Sequence, residues 1–481
     1  MADVDAIVVG TGPNGLTAAV VLARAGLRVA VYEAAEGIGG GARTEELTEP
    51  GFRHDPCSGV HPLGAGSAAW AGMPLADFGL EWLHGAHPLA HPMADGTAVV
   101  VERSAAATAE HLGPDARRYR RLVGPFVDRW ADLADDLLRP ALSRFPRHPL
   151  LDARFGLRAL PPARVLARAF DAPGTRALLA GFAAHAMVPL TQTATGAVSV
   201  MFAVAAHAGG WPVPRGGSQA ISDALAGYLQ SLGGTITTGC HVTSLEELPT
   251  AHAYLLDVSP SALATIAGPR LPDRYRHRLN RSRLGGAAFK VDWALDEPVP
   301  WKNPACRESV SVHLGGSFEE IADALDAVGD DRQPDPPVLI TAQPTVVDPS
   351  RAPAGKHVLW AWAPVPRGWE GDMTDVIERQ IERYAPGFRD VVRARAVAGP
   401  PTLAARNPNY IGGDIGGGRF AGLDAVFRPV AARQPYATPD PTVYLCSAAT
   451  PPGPGVHGMC GYHAARLALR RRFGVRPRGG S

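Results

Sequence analysis

Short apolar runs cut by glycine organise the N-terminal stretch of this chain. Asp5-Ala6-Ile7-Val8-Val9 is an apolar run of strand length, and Gly10-Thr11-Gly12-Pro13-Asn14-Gly15 breaks it at once. A run this short, bounded by a glycine turn, predicts a buried strand. Leu16 to Ala25 is rich in Ala, Leu and Val and predicts a helix, which Gly26 ends. Arg28 to Tyr32 predicts a second strand, delivering Glu33 at its end. Further along, Ala105 to Leu138 sets Arg- and Asp-rich faces against Leu, Val, Phe and Trp, the pattern of amphipathic helices. Ala220 to Leu232 predicts a helix, and Ile236–Thr238, His241–Leu245, Tyr254–Pro260 and Ala287–Leu295 predict strands. Thr442–Cys446 predicts a last strand, followed by a Gly/Pro loop and an Ala-rich helix. Strands alternating with helices predict an α/β fold.

The first turn carries chemistry. Gly10 to Gly15 fits G-x-G-x-x-G between a strand and a helix, with an acid after the second strand, which is the context a dinucleotide-binding turn requires. Gly10 allows the tight turn, Gly12 lets backbone approach a pyrophosphate, and Gly15 lets helix and strand pack closely. Pro13 and Asn14 open the helix, whose unpaired N–H groups attract phosphate. Glu33, with Ala34 beside it, can accept hydrogen bonds from a ribose and would repel the 2′-phosphate of NADP. Gly39-Gly40-Gly41-Ala42-Arg43 then offers a second close backbone approach and a cation for phosphate. An NAD site has no evident use for that second turn, so FAD is the expected dinucleotide.

At these residues the chain resembles the flavin-containing amine oxidase and phytoene desaturase superfamily, whose members carry a Gly-Gly-x-x-Arg-type motif after the first βαβ unit. Ser447 to Ala465, a Gly/Pro loop running into a helix, is similar to the C-terminal flavin motif of that superfamily. The resemblance covers nearly the whole chain. It is closest to the phytoene-desaturase-like branch that includes the pyridine nucleotide-disulfide oxidoreductase domain-containing protein 2 type. It implies a Rossmann-type (GR2-like) FAD-binding domain interleaved with an α+β substrate-binding domain. The flavin domain would use about 1–100, 211–285 and 425–481; a mostly helical piece, 101–210, and the segment 286–424 would form the second. It also implies that Val242 offers backbone to adenine, that Val60 passes along the flavin ring, and that Ala448, Val456 and Met459 face the flavin's pyrimidine edge. No cysteine matches a covalent attachment site, so FAD is expected to be non-covalent. Gly416 to Ala421 fits G-x-G-x-x-A without a preceding strand and reads as a loop near the substrate, not an NAD(P) site.

Four residues are catalytic candidates. Lys290 is read as a lone basic residue in an apolar strand, where burial would make it a base; the resemblance places a lysine there near the flavin. His457 lies in the C-terminal loop, and His61 lies in Gly59-Val60-His61-Pro62; each can hold or release a proton or be purely structural. Tyr410, with Asp414, would line the pocket. The aromatic residue that amine oxidases carry in the C-terminal motif falls on Gly453, which lowers the amine-oxidase reading. The leading expectation is an FAD-dependent enzyme that dehydrogenates or desaturates a hydrophobic or amphipathic small molecule, with O2 or a quinone as acceptor. A redox-neutral isomerase or a carotenoid-ketolase-like enzyme is the alternative, and a GDP-dissociation-inhibitor-like binding protein is a third.

Composition narrows this a little. Lys+Arg 47 against Asp+Glu 46 leaves +1 over 481 residues, so no basic field argues for nucleic acid. No run reaches the roughly 18 apolar residues of a membrane span. The five cysteines show no C-x-x-C pair, which suits a reducing cytoplasm, and the histidines from His54 to His91 sit in a Pro/Gly-rich stretch and not on a helix, so no metal is expected. The segment 144–170 interleaves six arginines with Phe and Leu, the pattern of a membrane-surface patch or of the mouth of a lipid channel. Oligomeric state is not legible.

Overall fold

The computed structural model describes residues 4–143 and 145–475. Arg144 and the expected tail Arg476–Ser481 lie outside them. The strands are β1 (Ala6–Val9), β2 (Val29–Tyr32), β3 (Trp82–Leu83), β4 (His87–Pro92), β5 (Ala98–Val101), β6 (Val213–Pro214), β7 (Thr235–Thr237), β8 (Ala253–Leu256), β9 (Ala287–Leu295), β10 (Ser309–Leu314), β11 (Leu339–Ala342), β12 (His357–Val365), β13 (Val392–Ala398) and β14 (Val443–Leu445). Four helices matter most below: α1 (Pro13–Ala23), α2 (Pro149–Ala159), α3 (Thr195–Ala208) and α4 (Met459–Arg472).

A five-stranded parallel sheet, ordered β14-β8-β1-β2-β7, forms the dinucleotide half. β1 is central and buried throughout, which is why it reads as an unbroken apolar run instead of an alternation. Its side chains serve two layers by strand period. Ala6 and Val8 pack with α1 and α4, while Ile7 and Val9 pack with Leu263, Ile266 and Leu279 on the other face. α1 starts at Pro13, three residues before the expected start, because proline suits the first helical position. Its first turn is locked to α4 by backbone contact: a Cβ on Gly461 would overlap the Asn14 carbonyl oxygen. Gly15 is confined in the same way by the Gly10 carbonyl.

A seven-stranded mixed sheet, ordered β13-β9-β12-β11-β10-β4-β5, forms the second half. All nine residues of β9 are buried. Phe289, Val291 and Trp293 face the helix Thr374–Tyr384, whereas the opposite face of β9 and β12 carries Ala288, Trp360 and Trp362 toward the dinucleotide sheet. Helices between residues 105 and 208, including α2 and α3, pack together around a core of their own that also takes in Leu89, Val99 and Val101 of β4 and β5.

Two expectations change. Residues 87–101, assigned for the most part to the first flavin segment, pair into the second sheet, because β4 runs parallel to β10 and carries β5 with it. His241–Leu245 forms no strand: Thr243 turns its N–H and hydroxyl onto the Glu247 carboxylate, and Ser244 caps a short 3-10 turn. Local side-chain bonds of this type compete with a ladder.

The helix contact yields a stability test. Gly461→Ala is expected to lower stability by about 1–3 kcal/mol through overpacking, read as a lower urea midpoint with an unchanged slope. Gly37→Ala, where a Cβ meets nothing within 4 Å, is expected to stay within about 0.5 kcal/mol of the parent.

Candidate active site

One cavity of about 460 Å³ lies against the C-terminal ends of β1, β2 and β8 and continues to the tryptophan face of the second sheet. Ligands bind at this edge of open parallel sheets because loops and helix N-termini converge there. Its side at the glycine turns is lined by Gly10, Gly12, Pro13, Asn14, Glu33, Ala34, Gly40, Gly41, Arg43 and Val242. Val60, His61, Tyr410, Ala448 and Val456 also line it. Gly15 stands just behind the wall, its N–H donated to Asp257 at 2.9 Å.

The turn is held from within. The Glu33 carboxylate accepts the Thr11 N–H at 2.8 Å, the Thr11 hydroxyl at 2.5 Å and the Ala35 N–H at 3.0 Å. Arg43 donates to the Gly37 carbonyl at 2.5 Å and stands 3.9 Å from Glu33. The second glycine turn lies directly on the first. A Cβ at Gly40 would sit 3.0 Å from the Gly12 Cα, and one at Gly41 would strike the Tyr410 hydroxyl. The Asn14 side-chain oxygen is buried here without a hydrogen-bond partner among the described residues. A cradle of bare backbone, an open helix N-terminus and an orphaned amide oxygen fit a dinucleotide whose polar groups complete the site.

Asp257, which the sequence places only within the expected strand Tyr254–Pro260, belongs to this turn. It follows β8 directly, and its carboxylate stands 2.6 Å from where a Gly12 Cβ would be. Burial pushes its carboxyl up to about 7, aided by the Glu33 charge and opposed by the Gly15 N–H. Its signal in the sequence was position alone: a polar residue at the end of a strand neighbouring β1.

The catalytic candidates divide. His61 reaches Ser218 Oγ at 2.8 Å through Nε2; Ser218 donates onward to the Ser58 carbonyl at 2.6 Å. That chain makes Nε2 the protonated nitrogen and leaves Nδ1 as an acceptor, while burial brings the imidazole down to about 4. Tyr410 donates its hydroxyl to Cys57 Sγ at 3.3 Å, and burial holds its proton well above the usual phenol range. Asp414 lines the cavity but is occupied by the Gly285 and Gly416 N–H groups at 2.6 and 2.8 Å, which fix the loop carrying Phe420.

His457, Met459 and Lys290 do not line the cavity. His457 Nδ1 accepts the Met459 N–H at 3.0 Å, so both residues serve the start of α4, and burial brings that imidazole down to about 4. Lys290 is not a lone base. Its ammonium meets Asp292 at 2.5 Å, on the same face of β9 two residues along, and rests 5.4 Å from the Trp360 ring, which itself forms the wall. A strand's period of two places i and i+2 side by side, so this partner stood in the sequence. His54, kept neutral by burial that brings its imidazole down to about 3, lies 3.7 Å from Asp292, and Asp55 pairs with Arg351 at 2.9 Å as a second buried ion pair.

The far wall is apolar, with Met187, Met201, Phe202, Trp211 and Trp362 around His185, a residue the sequence reading did not single out. Burial keeps His185 near 3, hence neutral, and its Nε2 lies 3.4 Å from His313 Nε2. At Gly453, where an aromatic residue is absent, a Cβ would meet Phe420 at 2.7 Å, so that ring occupies the space.

Fold and cavity together define a Rossmann-type oxidoreductase of two interleaved sheets. The NAD(P)-binding Rossmann-like domain family matches residues 8–71. Phytoene dehydrogenase of Streptomyces griseus is 30% identical over 81% of this chain and 77% of its own. Pyridine nucleotide-disulfide oxidoreductase domain-containing protein 2 of Mus musculus is 28% identical over 97% of this chain and 93% of its own. In fold, the chain is similar to a redesigned putrescine oxidase, with a TM-score of 0.61, 18% identity and 98% of each chain covered. The chain belongs to the FAD-dependent amine oxidase and phytoene desaturase superfamily, with the phytoene dehydrogenases. It is an oxidoreductase of the flavin-using kind.

The Lys290–Asp292 pair sets a test of its structural role. Lys290→Met leaves a buried carboxylate unpaired and is expected to cost about 3–5 kcal/mol. Adding Asp292→Leu should recover most of that in urea unfolding. A single variant as stable as the double would contradict the assignment.

Proposed function

We propose that the enzyme binds FAD non-covalently and dehydrogenates or desaturates a hydrophobic or amphipathic small molecule, with O2 or a quinone as final acceptor. The observation that carries this is the continuity of one cavity from the glycine turn to a wall of Met, Phe and Trp. Gly10, Gly12 and the backbone N–H groups that open α1 at Asn14 would hold the diphosphate, Glu33 the ribose and Val242 the adenine, with Val60, Ala448 and Val456 along the flavin. FAD, when bound, supplies a two-electron acceptor. The protein's part is to bury the substrate, at roughly 25 cal/mol per Å² of apolar area, and to exclude water. His61 stays neutral, with Nδ1 an acceptor 3.5 Å from the Ser58 hydroxyl, and Tyr410 keeps its proton. Cys57, which lines the cavity, has its thiol pushed up by burial and is a poor nucleophile for flavin attachment. We place the enzyme in the cytoplasm, at a membrane surface where apolar substrates reside.

The experiment is anaerobic mixing of FAD-loaded protein with a polyene hydrocarbon or with primary amines. Bleaching of the flavin by the polyene alone supports the proposal; bleaching by amines alone overturns it.

Asp257 adds a pH dependence. A carboxylate beside a diphosphate is a like-charge pair, so the complex favours the protonated acid. FAD affinity should therefore be greatest below about pH 7 and fall by up to about tenfold per unit above it, measured by quenching of flavin fluorescence. Asp257→Asn should flatten that profile. Gly12→Asp should abolish binding at every pH, since its side chain would fill the cradle.

A further inference from the structure

Eleven large apolar side chains are exposed among the described residues, and six of them lie between Leu142 and Val165. The pattern is not a frayed loop. α2 turns Leu151, Phe155 and Ala159 into the core and presents Leu150, Arg154 and Leu157 outward, with Leu150 87% and Leu157 83% exposed. A surface helix ordinarily keeps that stripe polar. Phe145, 80% exposed, precedes the stripe and Leu160, 61% exposed, extends it.

Two more of the eleven, Leu423 and Val426, come from a distant part of the chain to the same place. The Ala194 N–H bonds to the Leu160 carbonyl at 3.0 Å, and the Gly422 N–H bonds to the Thr193 carbonyl at 3.0 Å. Leu160 and Leu423 therefore flank one turn, the turn that begins α3. α2 packs on α3, whose Val198, Met201 and Phe202 line the cavity, and Phe420 lines it from the segment bearing Leu423. The apolar face thus adjoins the apolar wall of the active-site cavity. Its charge is net basic: Arg147, Arg154, Arg164 and Arg168 are exposed across it, with Arg147 paired to Asp135 at 3.2 Å, while Asp152 is only half-exposed and Asp424, beside Leu423, stands near Arg283 and Arg419.

We propose that this face docks on an anionic lipid bilayer. Phe145, Leu150 and Leu157 enter the boundary between headgroups and acyl chains, and Arg154, Arg164 and Arg168 meet lipid phosphates. Leucine alternating with arginine on a helix lying in the interfacial plane is the composition such a surface selects. A protein partner's groove would not call for so broad a belt of cations. Delivery of substrate from the membrane into the adjoining cavity rests on the proposed apolar substrate; docking itself does not.

The test uses full-length, FAD-loaded protein sedimented with vesicles of phosphatidylcholine, alone or mixed with phosphatidylglycerol. Binding to the mixed vesicles that weakens with salt is expected. Leu150→Glu with Leu157→Glu should lower the bound fraction at least about tenfold, whereas Leu232→Glu, exposed elsewhere, should not. Circular dichroism and flavin content should be unchanged, because both leucines are at the surface. Arg154→Gln with Arg168→Gln should remove the preference for anionic vesicles. Absence of wild-type binding, or binding indifferent to the leucine changes, overturns the proposal. So does a wild-type dimer in light scattering that the leucine changes convert to monomer, which would give the face to a second copy. A protein that docks yet oxidises only water-soluble compounds overturns the function proposed above and leaves docking standing.

Discussion

Backbone meets backbone at Gly10–Gly15, and the rest of the molecule is arranged around that contact. The Gly10 carbonyl confines Gly15, the Asn14 carbonyl confines Gly461 from the far end of the chain, and the Gly12 Cα lies against Gly40. No side chain fits between these segments. The N-terminal βαβ unit, the second glycine turn and the C-terminal helix are therefore obliged to form one body, leaving bare N–H groups and a concave surface at the sheet's edge. Side chains that cannot fit inside the cradle stand around it: Glu33 and Arg43 on one flank, Asp257 opposite.

A second hub ties the two sheets together by charge. Asp55 accepts from the Thr44 hydroxyl at 2.7 Å, from the Ser218 N–H at 2.9 Å and from Arg351 at 2.9 Å, all deep in the interior. Lys290, Asp292 and His54 adjoin it. Buried ions of this sort stabilise little in net terms, because desolvation offsets their attraction, but removing one partner is costly. They hold β9 and β12 at a fixed distance from the glycine turns, and the cavity is the space so enclosed. Its two ends differ in kind, polar backbone on one side and aromatic rings on the other, as a cofactor and an apolar substrate would each require.

Much of the dinucleotide side was legible because its signals are local. Strand, turn, helix and acid follow one another within Asp5–Glu33, and Gly41 and Arg43 come soon after. What was missed depended on distance in sequence. Asp257 faces Gly12 only because β8 pairs with β1, and His185 meets the cavity only through the packing of the helical layer. Lys290 is a different lesson: Asp292 was visible two residues away, and strand geometry alone would have paired them. His457 was located correctly in the C-terminal loop, but no sequence pattern tells whether an imidazole points at a ligand or at the next helix's N–H. Residues 87–101 looked like a continuation of the first domain because sheet partnership across more than two hundred residues leaves no local trace.

The most direct test of the account is the visible spectrum of the purified protein incubated with FAD, recorded before and after anaerobic dithionite and again on the supernatant after heat precipitation. The account predicts flavin absorption that bleaches on reduction and is recovered wholly in the supernatant. A protein that stays colourless after FAD is supplied, or flavin that remains with the precipitate, would contradict it.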